Sequence, residues 1–322
     1  SKPRKVLSLG NGIEKSYRVT LRDKTYFECN ESHKLPLKFS GRWRKNDTGD
    51  TLTMSVKDYL LECKKHPALK NKLKIQKSKV NFRSRKVDFD PYVYGVWLGD
   101  GHVNGLYFTL NNKDYQIKDH LFSWARNLNF SIRTELQKSP NCTRYDFSSG
   151  LKDKSRYFER DFVLSSIVNK EKRIKRDYLI NNERVRLELL AGLLDTDGYI
   201  ESTSFEWSTK FIGLRDDFLF LCRSLGFYVS HRTKIINDKP YYVVNVSGNT
   251  HLIPTRTRKK ADVRKSPKNP LVQSFKVEEI PSREYYGFTL DKDHLFIDSS
   301  FTIHHNTENL CIGYALYRIA EN

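Results

Sequence analysis

Residues Leu190-Ala191-Gly192-Leu193-Leu194-Asp195-Thr196-Asp197-Gly198 form an apolar run with a glycine inside it and an Asp-Gly pair at its end. Earlier in the chain, Val93-Tyr94-Gly95-Val96-Trp97-Leu98-Gly99-Asp100-Gly101 repeats that layout. Two such helices touching at Gly95 and Gly192 would bring their last carboxylates, Asp100 and Asp197, to one seam. The two aspartates lie 97 positions apart, and the same spacing carries Gly95 onto Gly192 and Asp119 onto Asp216. It also carries Arg126, Leu128 and Phe130 onto Arg223, Leu225 and Phe227. Each half then runs on to a Ser-Gly, ending at Gly150 and Gly248. Matches in one register, on like elements, mark an internal duplication.

Each half reads as helix, strand, strand, helix, strand, strand. In the first half the pattern gives strands at 105–110 and 131–136 with a helix near 114–128. The second half gives strands at 204–208 and 241–246 with a helix near 215–225. The chain has 322 residues, enough for about two domains, and its 38% hydrophobic content supports a packed core. Lys plus Arg number 57 against 38 for Asp plus Glu, a formal charge of +19, which points to a polyanion partner. Paired carboxylates on so basic a chain suggest metal-assisted cutting of nucleic acid. No apolar run approaches the roughly 18 residues of a spanning helix and no signal peptide opens the chain. The expectation is a soluble, intracellular protein with no membrane partner. Five scattered cysteines without CxxC spacing give neither a disulfide framework nor a zinc site. Cys222 falls on an apolar helix face and reads as core.

Outside the duplication the chain is β-patterned. Residues 16–29 alternate as a hairpin around Arg22-Asp23-Lys24, 40–50 are loop-like, and 56–63 suit a short helix. Residues 64–86 carry ten Lys or Arg and read equally as a solvated linker or a DNA-contacting arm. A second basic stretch spans 255–268. Strand patterns return at 285–290, 295–297 and 301–304. The duplication thus sits between two β-rich ends like an insertion. Leu310, Ala315, Leu316 and Ile319 recur at helical spacing in 307–322.

The two Asp-Gly runs resemble the LAGLIDADG motif of homing endonucleases. The resemblance implies that Asp100 and Asp197 are catalytic metal ligands for Mg²⁺, and that each half gives a strand saddle to double-stranded DNA. A hard, oxygen-liganded cation relieves the repulsion of the paired carboxylates. The family also places lysines beside the aspartates. Lys172, within Asn-Lys-Glu-Lys-Arg-Ile-Lys, is similar to one such segment, with Lys175 where the family has proline. Lys260, with Lys259 as its competitor, ends a segment similar to the other. Their implied role is to polarise water or stabilise the scissile phosphate.

The chain's last third carries a second chemistry. In His305-Asn306-Thr307, an Asn carboxamide can attack its own peptide carbonyl, a neighbouring His can move the proton, and a Thr can accept an acyl group. Residues 285–307 resemble the C-terminal splice junction of inteins. Phe27-Glu28-Cys29-Asn30-Glu31-Ser32-His33 resembles the family block carrying Thr-x-x-His, with Asn30 at the Thr position. The resemblance implies that His33 acts on the upstream scissile amide and that His294 assists Asn306. The opening Ser1-Lys2-Pro3-Arg4-Lys5 does not resemble the family's first block. The N-terminal nucleophile therefore reads as missing, by truncation or by a natural split, although Ser1 itself is open as the nucleophile. A separate N-terminal piece or upstream host segment is then a partner. The host fragment beginning at Thr307 is another, and an interrupted phosphate-loop ATPase is one candidate host.

The expected architecture is α+β, mainly β: a Hint-type intein splicing domain interrupted by a pseudo-two-fold αββαββ endonuclease domain. Its parts are 1–86 and 269–306 for splicing, 87–268 for the nuclease, and 307–322 for the downstream host segment. A free-standing homing endonuclease, an intein with an inactive nuclease, and a non-enzymatic DNA- or RNA-binding protein remain open alternatives. The DNA target implied by homing is the intein-less copy of the host gene.

Overall fold

The computed structural model describes residues 4–40, 50–149, 163–261 and 263–306. Ser1, Thr307 and the helical spacing read over 307–322 lie outside the described residues. Two compact units emerge. One is assembled from both chain ends, up to Val80 and from Asn269; the other is the continuous stretch Asn81–Lys268.

In the first unit, strand Val6–Leu21 pairs antiparallel with Phe275–Leu290 from Val6↔Leu290 to Leu21↔Phe275. Tyr26–Asn30 folds back on the inner end of this ribbon. The hairpin expected at 16–29 is therefore part of a longer pairing between distant segments. A second sheet runs in the order Val272–Gln273, Leu73–Gln76, Lys34–Phe39, Ile303–His305, Leu295–Ile297, with Thr51–Ser55 also on Lys34–Phe39. Helix Val56–Lys65 is capped by the Ser55 side chain, which accepts from the Asp58 amide. The core gathers Val19, Leu21, Cys29, Leu35, Leu37, Val56, Leu73 and Ile75.

Part of the basic stretch 64–86 is built into the first unit, while 78–86 has no regular structure and is mostly exposed from 81 on. Leu69–Lys72 is a short helix, and Leu73–Gln76 is a strand that buries Leu73 and Ile75. Burial of these alternating apolar residues outweighs the solvation of the lysines between them. Lys77 is itself buried, its Nζ 2.5 Å from Asp23 Oδ2. Gln273 Nε2 donates to the same oxygen at 3.2 Å. Beyond Val80 the stretch belongs to the second unit, where Asn181 Oδ1 accepts from the Arg85 amide at 3.1 Å.

The second unit shows the duplication, less one strand in its first half. Helix Pro91–Asp100 starts at Asp90, whose side chain accepts from the Val93 amide, with Pro91 in the first turn. Helix Glu183–Asp197 starts at Asn182, which accepts from the Val185 amide. Side-chain caps fix both starts, with Pro91 at the first helical position of the first and Glu183 at that of the second. In the second half, Gly198–Glu201, Ser204–Thr209, Lys239–Ser247 and Tyr228–Ile236 form a sheet in that order. The first half has Tyr107–Asn111, Cys142–Ser148 and Ser131–Leu136 in the equivalent order. Its opening strand is reduced to one bridge, Gly101↔Phe108.

Helices Tyr115–Asn127 and Ile212–Ser224 coincide at the 97-residue spacing, and so do their ends. The Phe130 amide donates to Ala125 O at 2.9 Å and the Phe227 amide to Cys222 O at 3.1 Å. Between them Asn129 (φ 56°) and Gly226 (φ 85°) take the left-handed conformation. This is a helix stop in which a positive-φ residue turns the chain and the next amide reaches back to close the last turn. It accounts for the echo of Ala-Arg-Asn-Leu-Asn-Phe in Cys-Arg-Ser-Leu-Gly-Phe.

The helices Pro91–Asp100 and Glu183–Asp197 cross at their glycines. A Cβ on Gly95 would overlap the Leu189 carbonyl oxygen and come within 2.9 Å of Gly192 Cα. A Cβ on Gly192 would overlap the Tyr92 carbonyl oxygen. Both positions contact backbone, which cannot rotate away. We therefore expect Gly192→Val to destabilise this unit by about 2–4 kcal/mol. Urea denaturation checks this, with Gly226→Asn as a mild control at a position whose counterpart, Asn129, already tolerates asparagine.

Candidate functional site

The crossing at Gly95 and Gly192 leaves both helices ending together. Asp100 is the last residue of the first and Asp197 the last of the second. A Cβ on Gly99 would stand 3.1 Å from Asp197 Oδ2, so this carboxylate lies against the end of the opposite helix. Asp100 is half-buried and Asp197 is open to solvent. The pair sits at the mouth of the seam, where a partner can reach it.

Loss of solvation, then the Asp197 charge, push the Asp100 carboxyl up to about 7. Asp197 is also raised, by desolvation against the pull of Lys172 and Lys260. Two helix C-termini point their carbonyl dipoles at the same place, which further disfavours anions. An arrangement that is costly for two carboxylates alone suits a hard divalent cation with oxygen ligands. Among the described residues no cluster of three or more His, Cys, Asp or Glu could hold a metal ion.

Lys172 and Lys260 occupy matched places. Lys172 Nζ donates to the carbonyls of Trp97 (2.9 Å), Leu98 (3.0 Å), Gly99 (3.1 Å) and Gly101 (2.7 Å). Lys260 Nζ donates to those of Leu194 and Asp195, both at 2.7 Å. Trp97 and Leu98 become Leu194 and Asp195 at the 97-residue spacing, so each lysine caps the same turn of its helix. Burial lowers Lys172 to about 8, and Lys260 also shifts down by burial. Both cations therefore stand beside both carboxylates while adding to the backbone caps that Gly101 and Gly198 give Trp97 O and Leu194 O. The Lys259 side chain lies outside the described set.

Sequence reasoning missed what places Lys260. Asp195 is buried and accepts from Tyr92 Oη (2.8 Å), the Arg256 amide (2.6 Å) and Thr257 Oγ1 (2.7 Å). Arg256 in turn pairs with Glu188 and lies 3.5 Å over the Tyr92 ring. Asp195 was visible as a polar residue inside an apolar helix, and that was the available signal.

Each sheet of this unit packs one face on helices and leaves the other open. Phe205, Trp207, Val229, Val244 and Val246 are buried, while Arg232, Lys234 and Glu206 lie toward the open side. In the first half Phe108, Tyr145 and Phe147 face inward, and Tyr107, Arg133 and Arg144 outward. Arg144 stacks 3.9 Å above the Tyr107 ring.

In the unit built from the chain ends, His305 pairs with Lys34, so the end of the chain's last described strand lies beside the residue that follows His33. His33, Asn30 and Asn306 are buried. Asn30 Nδ2 donates to Ser32 Oγ at 3.1 Å, and that hydroxyl donates to Glu14 Oε2 at 2.9 Å. The Asn306 amide donates to the His294 carbonyl at 2.6 Å. The rings of His294 and His305 lie 5.9 Å apart. Burial, then Lys34, lower the His305 imidazole below its usual range. Two further residues that sequence reasoning passed over are buried His304 and its partner Asp298, 3.3 Å apart. His304 falls at the end of the strand expected at 301–304, with no motif of its own to mark it.

No protein-family profile matches the chain. Solved structures similar to the chain include the crystal structure of I-DmoI in complex with DNA and Ca, at 18% identity and a TM-score of 0.40 over 53% of this chain and 94% of that one. Mesophilic variants from the homing endonuclease I-DmoI are similar at 18% identity and a TM-score of 0.36 over 49% and 87%. The N-terminal LAGLIDADG domain of DUF199/WhiA is similar at 11% identity and a TM-score of 0.33 over 56% and 87%. Similarities this weak leave function to be read from the chain's own geometry. Among the described residues no helix is long and apolar enough to cross a membrane.

The raised Asp100 carboxyl sets a sign. With its folded pKa near 7 against an ordinary 3.8, the metal-free fold binds a proton more tightly than the unfolded chain. Stability from this group is full below about 3.8 and is lost as pH rises toward 7. Asp100→Asn should therefore raise the melting temperature of the chelator-treated protein by a few degrees at pH 8 and leave it nearly unchanged at pH 4, read by calorimetry.

Proposed function

We propose that the continuous unit is a LAGLIDADG-type homing endonuclease acting on double-stranded DNA, and that the unit built from both chain ends is an intein-type self-cleaving element. The observation that carries the first assignment is the meeting of Asp100 and Asp197 at the mouth of a glycine-crossed, duplicated helix pair. Asp100 and Asp197 would hold a divalent cation, Mg²⁺ in the first instance. Such a cation activates water and offsets the charge that develops on a phosphodiester during hydrolysis.

The chain's own residues prepare that site. Gly95 and Gly192 set how closely the helices approach and hence how near the carboxylates come. Lys172 and Lys260 lock the last turns that carry them and add positive charge where a phosphate would lie. The open sheet faces offer Arg133, Arg144, Arg232 and Lys234 to a backbone, the contact type that positions a protein on DNA. The formal charge of +19 supports a polyanion as partner.

The second assignment rests on Asn306, buried next to His294 and one residue from His305, on a strand joined to the His33 segment. In this reading the Asn306 side-chain nitrogen attacks its own backbone carbonyl carbon. A five-membered imide forms, the Asn306–Thr307 peptide bond breaks, and His305 takes up the proton lost by Asn306 Nδ2 while giving one to the departing Thr307 amine. His33 and Asn30 would act on an upstream junction, with Thr307 receiving the upstream segment. That step requires an upstream piece as partner.

A library of randomised duplexes tests the nuclease. Wild type with Mg²⁺ should select a site cut in both strands. Asp100→Asn or Asp197→Asn should lower cutting by at least about a hundredfold while retaining binding. A wild type that binds DNA and never cuts would leave the non-enzymatic reading. For the self-cleaving unit, mass spectrometry should find residues 307–322 released from wild type and retained by Asn306→Ala; a stable intact wild type refutes it.

A further inference from the structure

A lysine ammonium has three N–H donors and no acceptor. Lys172 Nζ faces four carbonyls, those of Trp97, Leu98, Gly99 and Gly101, all within 3.1 Å. Its donors are therefore fully committed to the end of helix Pro91–Asp100. The Trp97 ring lies 5.0 Å from the same ammonium, and Lys172 is only 5% exposed. Lys260 Nζ has two acceptors, Leu194 O and Asp195 O. Its third N–H has no protein acceptor among the described residues, and the residue is half-buried.

The difference follows from the strand that the first half lacks. Gly198, the counterpart of Gly101 at the 97-residue spacing, opens the strand Gly198–Glu201 and pairs with Trp207. Gly101 makes one bridge to Phe108, and its carbonyl accepts from Lys172 at 2.7 Å. Trp97 Nε1 donates to His102 O (3.1 Å) and Gly105 O (3.3 Å), which ties that loop to the ring beside the lysine. Its counterpart Leu194 has no side-chain donor to do this. The charges around the two ammoniums differ as well. Besides burial, Asp195 and the seam aspartates, Lys260 feels Asp114, which heads helix Tyr115–Asn127 without capping it. Phe211 holds the matched place in the second half. Besides burial and the seam aspartates, Lys172 feels Lys210. A carboxylate thus favours the ammonium of Lys260, while a cation opposes that of Lys172.

We infer that the two lysines are not equivalent: Lys260 is the one that donates to the phosphate, and Lys172 is a buried plug that positions Asp100. The inference rests on the nuclease reading of this unit. In hydrolysis the water oxygen bonds to phosphorus as one ester P–O bond breaks, and the departing oxygen ends with a proton that the water gave up. Lys260 transfers no proton; its third N–H donates to the non-bridging oxygen that gains charge. The side of the seam served by Lys172 has no such donor from its own lysine. In a pseudo-two-fold unit each half faces one strand of a duplex. The strands are therefore cut at unequal rates, and a nicked duplex accumulates between the two cuts.

The test uses the full chain in excess over a duplex taken from the nuclease selection, with Mg²⁺ and a different dye on each strand. Wild type should cut one strand at least about tenfold faster than the other. Lys260→Met keeps the aliphatic stem and removes the ammonium. It should slow the faster strand by roughly a hundredfold and change the slower one by less than about threefold. Lys172→Met, at a temperature where it is folded, should slow both strands by like factors, because Asp100 and Asp197 act as a pair. It should also lower the melting temperature by about 5 °C or more, further than Lys260→Met does. Equal strand rates in wild type or an equal loss on both strands in Lys260→Met overturns the inference. So does a folded Lys172→Met that cuts at wild-type rates or loses one strand alone. If Lys172→Met does not fold, the strand rates of Lys260→Met decide. If wild type binds and never cuts, the nuclease reading has failed instead. Calorimetry of the two variants then still judges the plug, and equal losses of stability overturn it.

Discussion

The backbone contact at Gly95 and Gly192 is the constraint on which the continuous unit depends. Two helices can approach this closely only where neither presents a Cβ, and the nearest atoms are carbonyl oxygens and backbone nitrogen rather than mobile side chains. From that contact the rest follows in order. The helix ends converge, the carboxylates of Asp100 and Asp197 crowd each other, and a lysine is drawn to each frayed set of carbonyls. The electrostatic cost of the site is the other side of its usefulness, because the same crowding that raises Asp100 makes the pair receptive to a cation.

Much of this was legible in the residues. The 97-residue spacing carried not only the aspartates but helix Tyr115–Asn127 onto Ile212–Ser224 and one left-handed helix stop onto the other. Asn129 and Gly226 differ in identity and agree in conformation, so a comparison of letters understates the match. What was not legible depended on partners distant in sequence. The lysines of 64–86 look like a solvated run until Leu73 and Ile75 are seen to enter a sheet and Lys77 to meet Asp23. The boundary between units accordingly falls after Val80 instead of at 86. The first strand of the first half is missing as a strand, since the chain there makes only the Gly101↔Phe108 bridge.

The second site shows the same limit from another direction. His305 and Asn306 announced themselves as chemistry, whereas His304 occupied a position that pattern alone assigns to packing. Only the strand's two faces separate the histidines, and only the turn at 298–302 supplies His304 with an anion. Period-two reading gives the faces; the anion comes from a hairpin whose geometry, with Phe301 at φ 63°, no local propensity specifies.

The ribbon joining Val6–Leu21 to Phe275–Leu290 has a consequence for the order of events during synthesis. Its two strands leave the ribosome separated by the whole of the central unit, and closing so long a loop is slow compared with local folding. The central unit can thus mature before the outer one has its second strand. A chain still being translated therefore carries a folded central unit while the outer one is incomplete, so completion of the outer unit is timed by the length of the intervening message.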